Sequence, residues 1–212
     1  SEAPRPLPSG PVHATEGLEF ATPAGRSVML ESITITPPRH PLRGKVTPPG
    51  SKSITNRALQ LAGLASGESR ITGALKSLDT ELMAKALAAM GVAVSEPDAT
   101  SFVVTGRGRL EAPKAPLYLG NAGTATRFLT AAVAGVAGDV VVDGDAHMRK
   151  RPILPLVEAL AGLGVAAEAT GGCPPVTVHG RGRIPAGRVE IDGSLSSQDV
   201  SALLLLAALG GG

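Results

Sequence analysis

The chain has 212 residues, with 20 basic and 18 acidic side chains and a formal net charge of +2. That balance excludes a dedicated nucleic-acid or anionic-membrane binder, and an aromatic content of 2% excludes a base-stacking platform. The single cysteine, Cys173, excludes an internal disulfide and a Cys-rich zinc site, which points to a reducing, cytoplasmic compartment.

Residues 1–28 carry Pro4, Pro6, Pro8, Pro11 and Pro23 among small polar residues. This composition predicts a flexible Pro-rich leader. It lacks the basic-then-apolar pattern of a secretory signal. Met29 opens the first strand-like segment. The longest apolar run, Ala202 to Leu209, falls far short of the ~20 residues that cross a membrane.

From residue 50 onward the chain repeats itself. Gly50-Ser51-Lys52-Ser53 opens a predicted helix through Leu64. Gly120-Asn121-Ala122-Gly123-Thr124 opens one through Val136, and Gly193-Ser194-Leu195-Ser196-Ser197 opens one through Leu209. These openings lie roughly 70 residues apart. Between them, Ile71–Leu110 matches Val140–Ile184 in layout. Each copy has a strand-like start, a polar loop and an amphipathic helix (Glu81–Met90 and Leu154–Leu163), then a Gly-Val pair and a strand ending in Gly-Arg-Gly-Arg. The pattern predicts an α/β fold of two full units and the start of a third, as part of a longer protein.

A helix N-terminus presents unpaired N–H groups and the positive end of the dipole, and so suits an anion. Ser, Thr and Asn at such positions are also ordinary N-caps. Recurrence beside basic residues favours a site for the set. Those residues are Lys52, Arg57, Arg127 and the cluster Arg149, Lys150 and Arg151. Guanidinium suits paired hydrogen bonding to carboxylate or phosphate. Ser53 and Arg57 share a helix face. A solvated helix face is the plain alternative for Arg57 and Arg127, and a surface loop for the cluster. His13, His40, His147 and His179 have no metal-ligand spacing. Cys173 sits in a turn-like Gly-Gly-Cys-Pro-Pro stretch and reads as inert. Pro49-Gly50-Ser51-Lys52-Ser53 lacks the spacing of a nucleoside-triphosphate loop. The Gly106/Gly108 and Gly180/Gly182 pairs read as turn residues.

Four ordered blocks resemble the 5-enolpyruvylshikimate-3-phosphate synthase family. They are Pro49-Gly-Ser-Lys-Ser-Ile-Thr-Asn-Arg-Ala58, Leu119-Gly-Asn-Ala-Gly-Thr-Ala-Thr-Arg127, Met148-Arg-Lys-Arg-Pro-Ile153 and Gly193-Ser-Leu-Ser-Ser-Gln198. The resemblance implies the enolpyruvyl transferase fold of repeated βαβαββ-type units, with the third unit truncated here. It implies residues 49–212 as an incomplete substrate-binding domain, and residues 29–48 as a strand segment of the second domain. It also implies transfer of the enolpyruvyl group of phosphoenolpyruvate to the 5-hydroxyl of shikimate 3-phosphate, with phosphate release, on the way to chorismate and the aromatic amino acids. No metal or organic cofactor is implied, and the full-length form is expected to be monomeric.

Carried over by motif, Lys52 touches both substrates and is the candidate proton donor. Ser53, Arg57, Ser196 and Ser197 hold shikimate 3-phosphate, and Gln198 lies between the substrates. Asn121, Gly123, Thr124 and Arg151 face phosphoenolpyruvate. Phe128, His147 and Asp199 depart from residues common in the family. The isolated chain is expected not to turn over. Three rival readings stand beside this one: an enolpyruvyl transferase acting on UDP-N-acetylglucosamine, a non-catalytic anion-binding module, and a purely structural repeat protein.

Overall fold

The structure is a computed structural model. It describes residues 12–14, 18–21, 27–30, 33–35, 41, 43–183, 186–194 and 196–208. The chain divides into two compact units, Ser1–Thr47 and Pro48–Gly212.

The first unit carries four short strands, β1 (Val12–Ala14), β2 (Leu18–Ala21), β3 (Ser27–Leu30) and β4 (Ile33–Ile35). β2 pairs antiparallel with β3, placing Leu18 opposite Leu30. β1 pairs antiparallel with β4, placing Val12 opposite Ile35. Among the described residues, strands are therefore present from Val12, ahead of Met29, within the stretch that composition assigns to a flexible leader. Residues 1–11, 15–17 and 22–26 of the expected leader lie outside the described residues.

The second unit begins with α1 (Lys52–Leu64), β5 (Ser66–Ile71), α2 (Leu78–Ala89), β6 (Ala93–Asp98) and β7 (Ser101–Arg107). It continues through β8 (Leu117–Tyr118), α3 (Gly123–Ala132), β9 (Ala137–Asp143), α4 (Leu154–Gly162), β10 (Ala167–Ala169), β11 (Val176–Arg181) and α5 (Ser197–Ala207). The run from β8 to β11 is a full βαβαββ unit. The run from α1 to β7 is the same without a leading strand, since residues 43–50 form no regular element.

The two copies share their sheet topology. β7 lies between β5 and β6, and β11 lies between β9 and β10, all antiparallel. β8 adds in parallel beside β9. The copies also share a close approach. Gly106 of β7 packs on the Ala65 carbonyl, and Gly180 of β11 packs on the Val136 carbonyl; a Cβ at either would overlap that oxygen. Two residues on, the Gly108 amide donates to Ala65 and the Gly182 amide to Val136, each at 3.1 Å. Both of these later glycines have φ of +73°. Gly106 and Gly180 are thus contact residues inside strands, and only Gly108 and Gly182 are the turn residues that the sequence predicts for all four.

One aliphatic core runs under both sheets. Leu59, Met83, Leu87, Phe102, Leu129, Val142, Leu156 and Leu160 are fully buried within it. Helix α3 is buried along its whole length and contacts both α1 and α5. It is the central helix of the unit, and the ends of its neighbours are set against it. Among the described residues, no helix is long and apolar enough to cross a membrane.

Candidate anion site at three helix ends

Each of the three openings begins a helix, but the ends are finished differently. Ser51 caps α1, its Oγ accepting from the Ile54 amide at 3.4 Å. Ser196 caps α5, its Oγ accepting from the Gln198 amide at 3.2 Å. Helix α3 follows Ala122, and no side chain caps it. Its end therefore keeps backbone donors for another group.

Two arginines bring the ends together. Arg57 Nη1 donates to the Ser53 carbonyl, one turn back, and Nη2 to Ser201 Oγ on α5, both at 3.0 Å. Its guanidinium also lies over the Phe128 ring of α3, 4.8 Å from the centroid. Arg127 Nη1 reaches the Gly123 carbonyl, again one turn back, at 3.5 Å. Its Nε sits 2.8 Å from Asp199 Oδ1 on α5, off the N–H axis, so this is an ionic contact more than a hydrogen bond. The first and second turns of α1, α3 and α5 are therefore level with one another.

A third arginine closes over α3. A Cβ at Gly123 would lie 2.5 Å from Arg151 Nη1. The guanidinium of Arg151 thus rests on the uncapped helix end, and glycine is what lets it approach. Arg151 is exposed, while Gly123 and Thr124 are buried and Asn121 is exposed in the preceding turn. The loop that presents Arg151 is braced by Arg149, whose Nε and Nη2 donate to Asp143 at 3.0 and 2.6 Å. That paired bond holds the Asp143 carboxyl below its ordinary range and raises Arg149. Arg149 is therefore tied up in the loop and Arg151 is the member left over the helix end. Lys150 is exposed.

Lys52, the first residue of α1, pairs with Asp79 in the first turn of α2, Nζ to Oδ2 at 2.8 Å. A carboxylate thus stands directly beside the ammonium of Lys52. Ser197 is exposed at the first turn of α5, and Gln198 and Ser53 are half-buried beside their helix ends. Arg127 departs from the solvated-face alternative: it is 9% exposed and Asp199 2%. Burial raises the Asp199 carboxyl above its ordinary value, with the charge of Arg127 pulling it partly back.

Asp79, Asp199 and Ser201 were not foreseen as neighbours of the cations. Asp79 lies two residues ahead of the predicted helix Glu81–Met90 and falls in its first turn because α2 starts earlier, at Leu78. The other two become partners only when α5 packs on its neighbours. An apolar groove also lies between α5 and residues 187–191, lined by Val189, Ile191, Val200 and Leu203. Among the described residues, no group of His, Cys, Asp and Glu is placed to hold a metal ion.

The family model for EPSP synthase (3-phosphoshikimate 1-carboxyvinyltransferase) matches residues 36–211. The chain belongs to the EPSP synthase family. A 3-phosphoshikimate 1-carboxyvinyltransferase of Rhizobium leguminosarum bv. trifolii is 70% identical over 178 residues, which is 84% of this chain and 42% of that protein. The protein of the same name from Pseudomonas savastanoi pv. phaseolicola is 63% identical over 181 residues, 85% of this chain and 43% of its own length. The solved EPSP synthase of Acinetobacter baumannii superposes with a TM-score of 0.71 at 31% identity, covering 80% of this chain and 39% of that one. The chain thus spans about two fifths of the length of these EPSP synthase relatives. The enolpyruvyl transferase fold of repeated units is the fold seen here.

Proposed function

We propose that this chain supplies the substrate-gathering half of an enzyme that moves the enolpyruvyl group of phosphoenolpyruvate onto the 5-hydroxyl of shikimate 3-phosphate. The observation that carries the reading is Arg151 resting on the uncapped end of α3, level with the Arg57 end of α1 and the Ser196-capped end of α5. Both substrates are phosphorylated carboxylates. Guanidinium and free helix N–H groups together are the donors such anions need.

In this reading Arg57, Ser53, Ser196 and Ser197 take shikimate 3-phosphate. Arg151, Gly123, Thr124 and Asn121 take phosphoenolpyruvate, and Gln198 lies between the two. Lys52 reaches both and serves as the proton donor. The 5-hydroxyl gives up its proton as its oxygen bonds to the central carbon of the enol phosphate, while a proton is delivered to the methylene carbon. Collapse of that tetrahedral species expels phosphate and returns a proton from the new methyl group. Both steps need an acid and a base held at the reacting carbon. No metal or organic cofactor enters these steps. The remaining catalytic groups belong to the part of the protein beyond this chain, as does the domain that residues 29–48 would join. In this reading the enzyme is cytoplasmic and monomeric.

Titration calorimetry of shikimate 3-phosphate into the purified chain tests the reading, with UDP-N-acetylglucosamine as the comparison. Selective binding that weakens with salt and is lost in Arg57→Ala is the expected result. Absence of binding by the folded chain and by its full-length parent would overturn it. The chain alone is expected to release no phosphate when given both substrates.

A further inference from the structure

Arg127 has almost no surface through which to meet a ligand, yet each of its three nitrogens faces a different segment of the candidate site. Nη1 lies 3.5 Å from the carbonyl of Gly123. Nη2 donates to the carbonyl of Pro152 at 2.8 Å. Nε lies 2.8 Å from the carboxylate of Asp199. Each partner is a proposed site residue or its immediate neighbour. Gly123 opens α3, Pro152 follows Arg151, and Asp199 follows Gln198.

A buried ion pair is a weak way to gain stability, because desolvation cancels much of the attraction. An apolar pair of similar volume would fill the space as well. What the guanidinium offers instead is a planar fork whose directions fix several partners at once. The Arg151–Pro152 turn is also held from its far side, where the Ile153 amide donates to the Gly172 carbonyl at 2.9 Å and Ile153 is buried. The turn is thus anchored on both sides, with Arg151 over Gly123. Arg57 makes the parallel contacts from α1, to its own preceding turn and to Ser201 of α5, but reaches no loop.

We propose that Arg127, with Asp199 as its counter-charge, is the positioning residue that sets Arg151 and Gln198 against the end of α3. It touches no substrate. Its contact to Pro152 serves the phosphoenolpyruvate side alone, its contact to Asp199 also steadies the α5 turn that carries Ser196 and Ser197, and the groups on α1 do not depend on it. The proposal rests on the functional reading above.

The test uses the full-length protein that carries this chain. Arg127→Lys keeps a charge near Asp199 but cannot also serve Pro152. The expected result is a KM for phosphoenolpyruvate raised by at least about tenfold, as misplacement of a binding group produces, with kcat and the KM for shikimate 3-phosphate held within about threefold. A second variant separates positioning from bulk stability. Arg127→Leu combined with Asp199→Leu replaces the ion pair by an apolar one and is expected to restore the Tm while leaving the raised KM. Recovery of a normal KM in that double variant would overturn the proposal, as would a normal KM in Arg127→Lys. If the unmodified full-length protein does not consume phosphoenolpyruvate at all, the functional reading fails instead. Positioning is then judged by hydrogen exchange in the present chain. Faster exchange at the amides of Arg151 and Ile153 in Arg127→Lys supports it, and unchanged exchange there overturns it.

Discussion

Lys52 Nζ and Asp79 Oδ2 stand 2.8 Å apart, joining the start of α1 to the start of α2. The lysine side chain is 47% exposed, so the pair is largely solvated and contributes no more than about 1 kcal/mol to stability. Its consequence is for charge. Asp79 offsets the one cation that the functional reading assigns to both substrates. Asp79→Asn is expected to change the unfolding free energy by less than about 1 kcal/mol and to tighten shikimate 3-phosphate binding by about threefold. Lys52→Met should weaken that binding by at least about tenfold, the size of a lost charge-assisted hydrogen bond. Calorimetry on the variants checks both. Weaker binding in Asp79→Asn would mean that the carboxylate orients the lysine more than it masks it.

The repeat was readable because its marks are local. Gly-Val pairs, Gly-Arg-Gly-Arg endings and helix openings each follow from the conformation of a few neighbouring residues. Helix α1 ends at Leu64 as the pattern predicts. The predicted helix through Val136 instead gives way after Ala132 to a tighter turn at Val133–Gly135, where Gly180 presses on the Val136 carbonyl. That departure comes from the other end of the unit and has no local mark. The same holds for Asp199. Its neighbour Gln198 belongs to a readable motif, but its own partner lies 72 positions earlier and is set by α5 packing on α3. Strands β1 and β2 were hidden for a different reason: proline density outweighed the short alternating runs Val12–Ala14 and Leu18–Ala21.

Gly123→Ala puts a methyl group where Arg151 now lies. The atom displaced is the end of a flexible side chain, not backbone, so the fold should yield easily. A change in unfolding free energy under about 1 kcal/mol is expected, since alanine also suits a helix start better than glycine. The guanidinium must leave the helix end, and the full-length protein should show a KM for phosphoenolpyruvate raised by about tenfold or more. An unchanged KM with a displaced Arg151 would remove Arg151 from the phosphoenolpyruvate side of the site.

Asp199 makes stability depend on pH with an unusual sign. Burial raises its pKa above that of the unfolded chain, about 4 for an aspartate. The folded state therefore holds the proton to higher pH than the unfolded state does. The stability it contributes falls as pH rises from about 4 through the raised value, and stays flat above it. Arg127 supplies the opposing charge from α3. Asp199→Asn has no such titration. Urea unfolding of both proteins from pH 4 to 7 should show the variant gaining on the parent as pH rises across that window. A gap that moves the other way would mean that the Arg127 contact outweighs burial and lowers the pKa.

Gly106 and Gly180 offer the most stringent test of the repeat, because the two copies should fail alike. Each faces a backbone carbonyl at the end of the preceding helical segment, Ala65 for one and Val136 for the other. A side chain can swing away from an added methyl group, but a hydrogen-bonded carbonyl cannot move without its strand. The Ala65 and Val136 oxygens are further held by the amides of Gly108 and Gly182. Gly106→Ala and Gly180→Ala should therefore each cost about 2–4 kcal/mol, at or above the usual range for overpacking. Thermal unfolding followed by circular dichroism reads this directly. Substituting Gly138 with alanine is the comparison, since its φ of +105° is strained for alanine but its side-chain space is open. Its cost should be about 1–2 kcal/mol, the conformational part alone. Equal losses at Gly106 and Gly180 that exceed the loss at Gly138 would show that the same contact supports both copies. A large loss at only one would show that the copies share topology without sharing the contact.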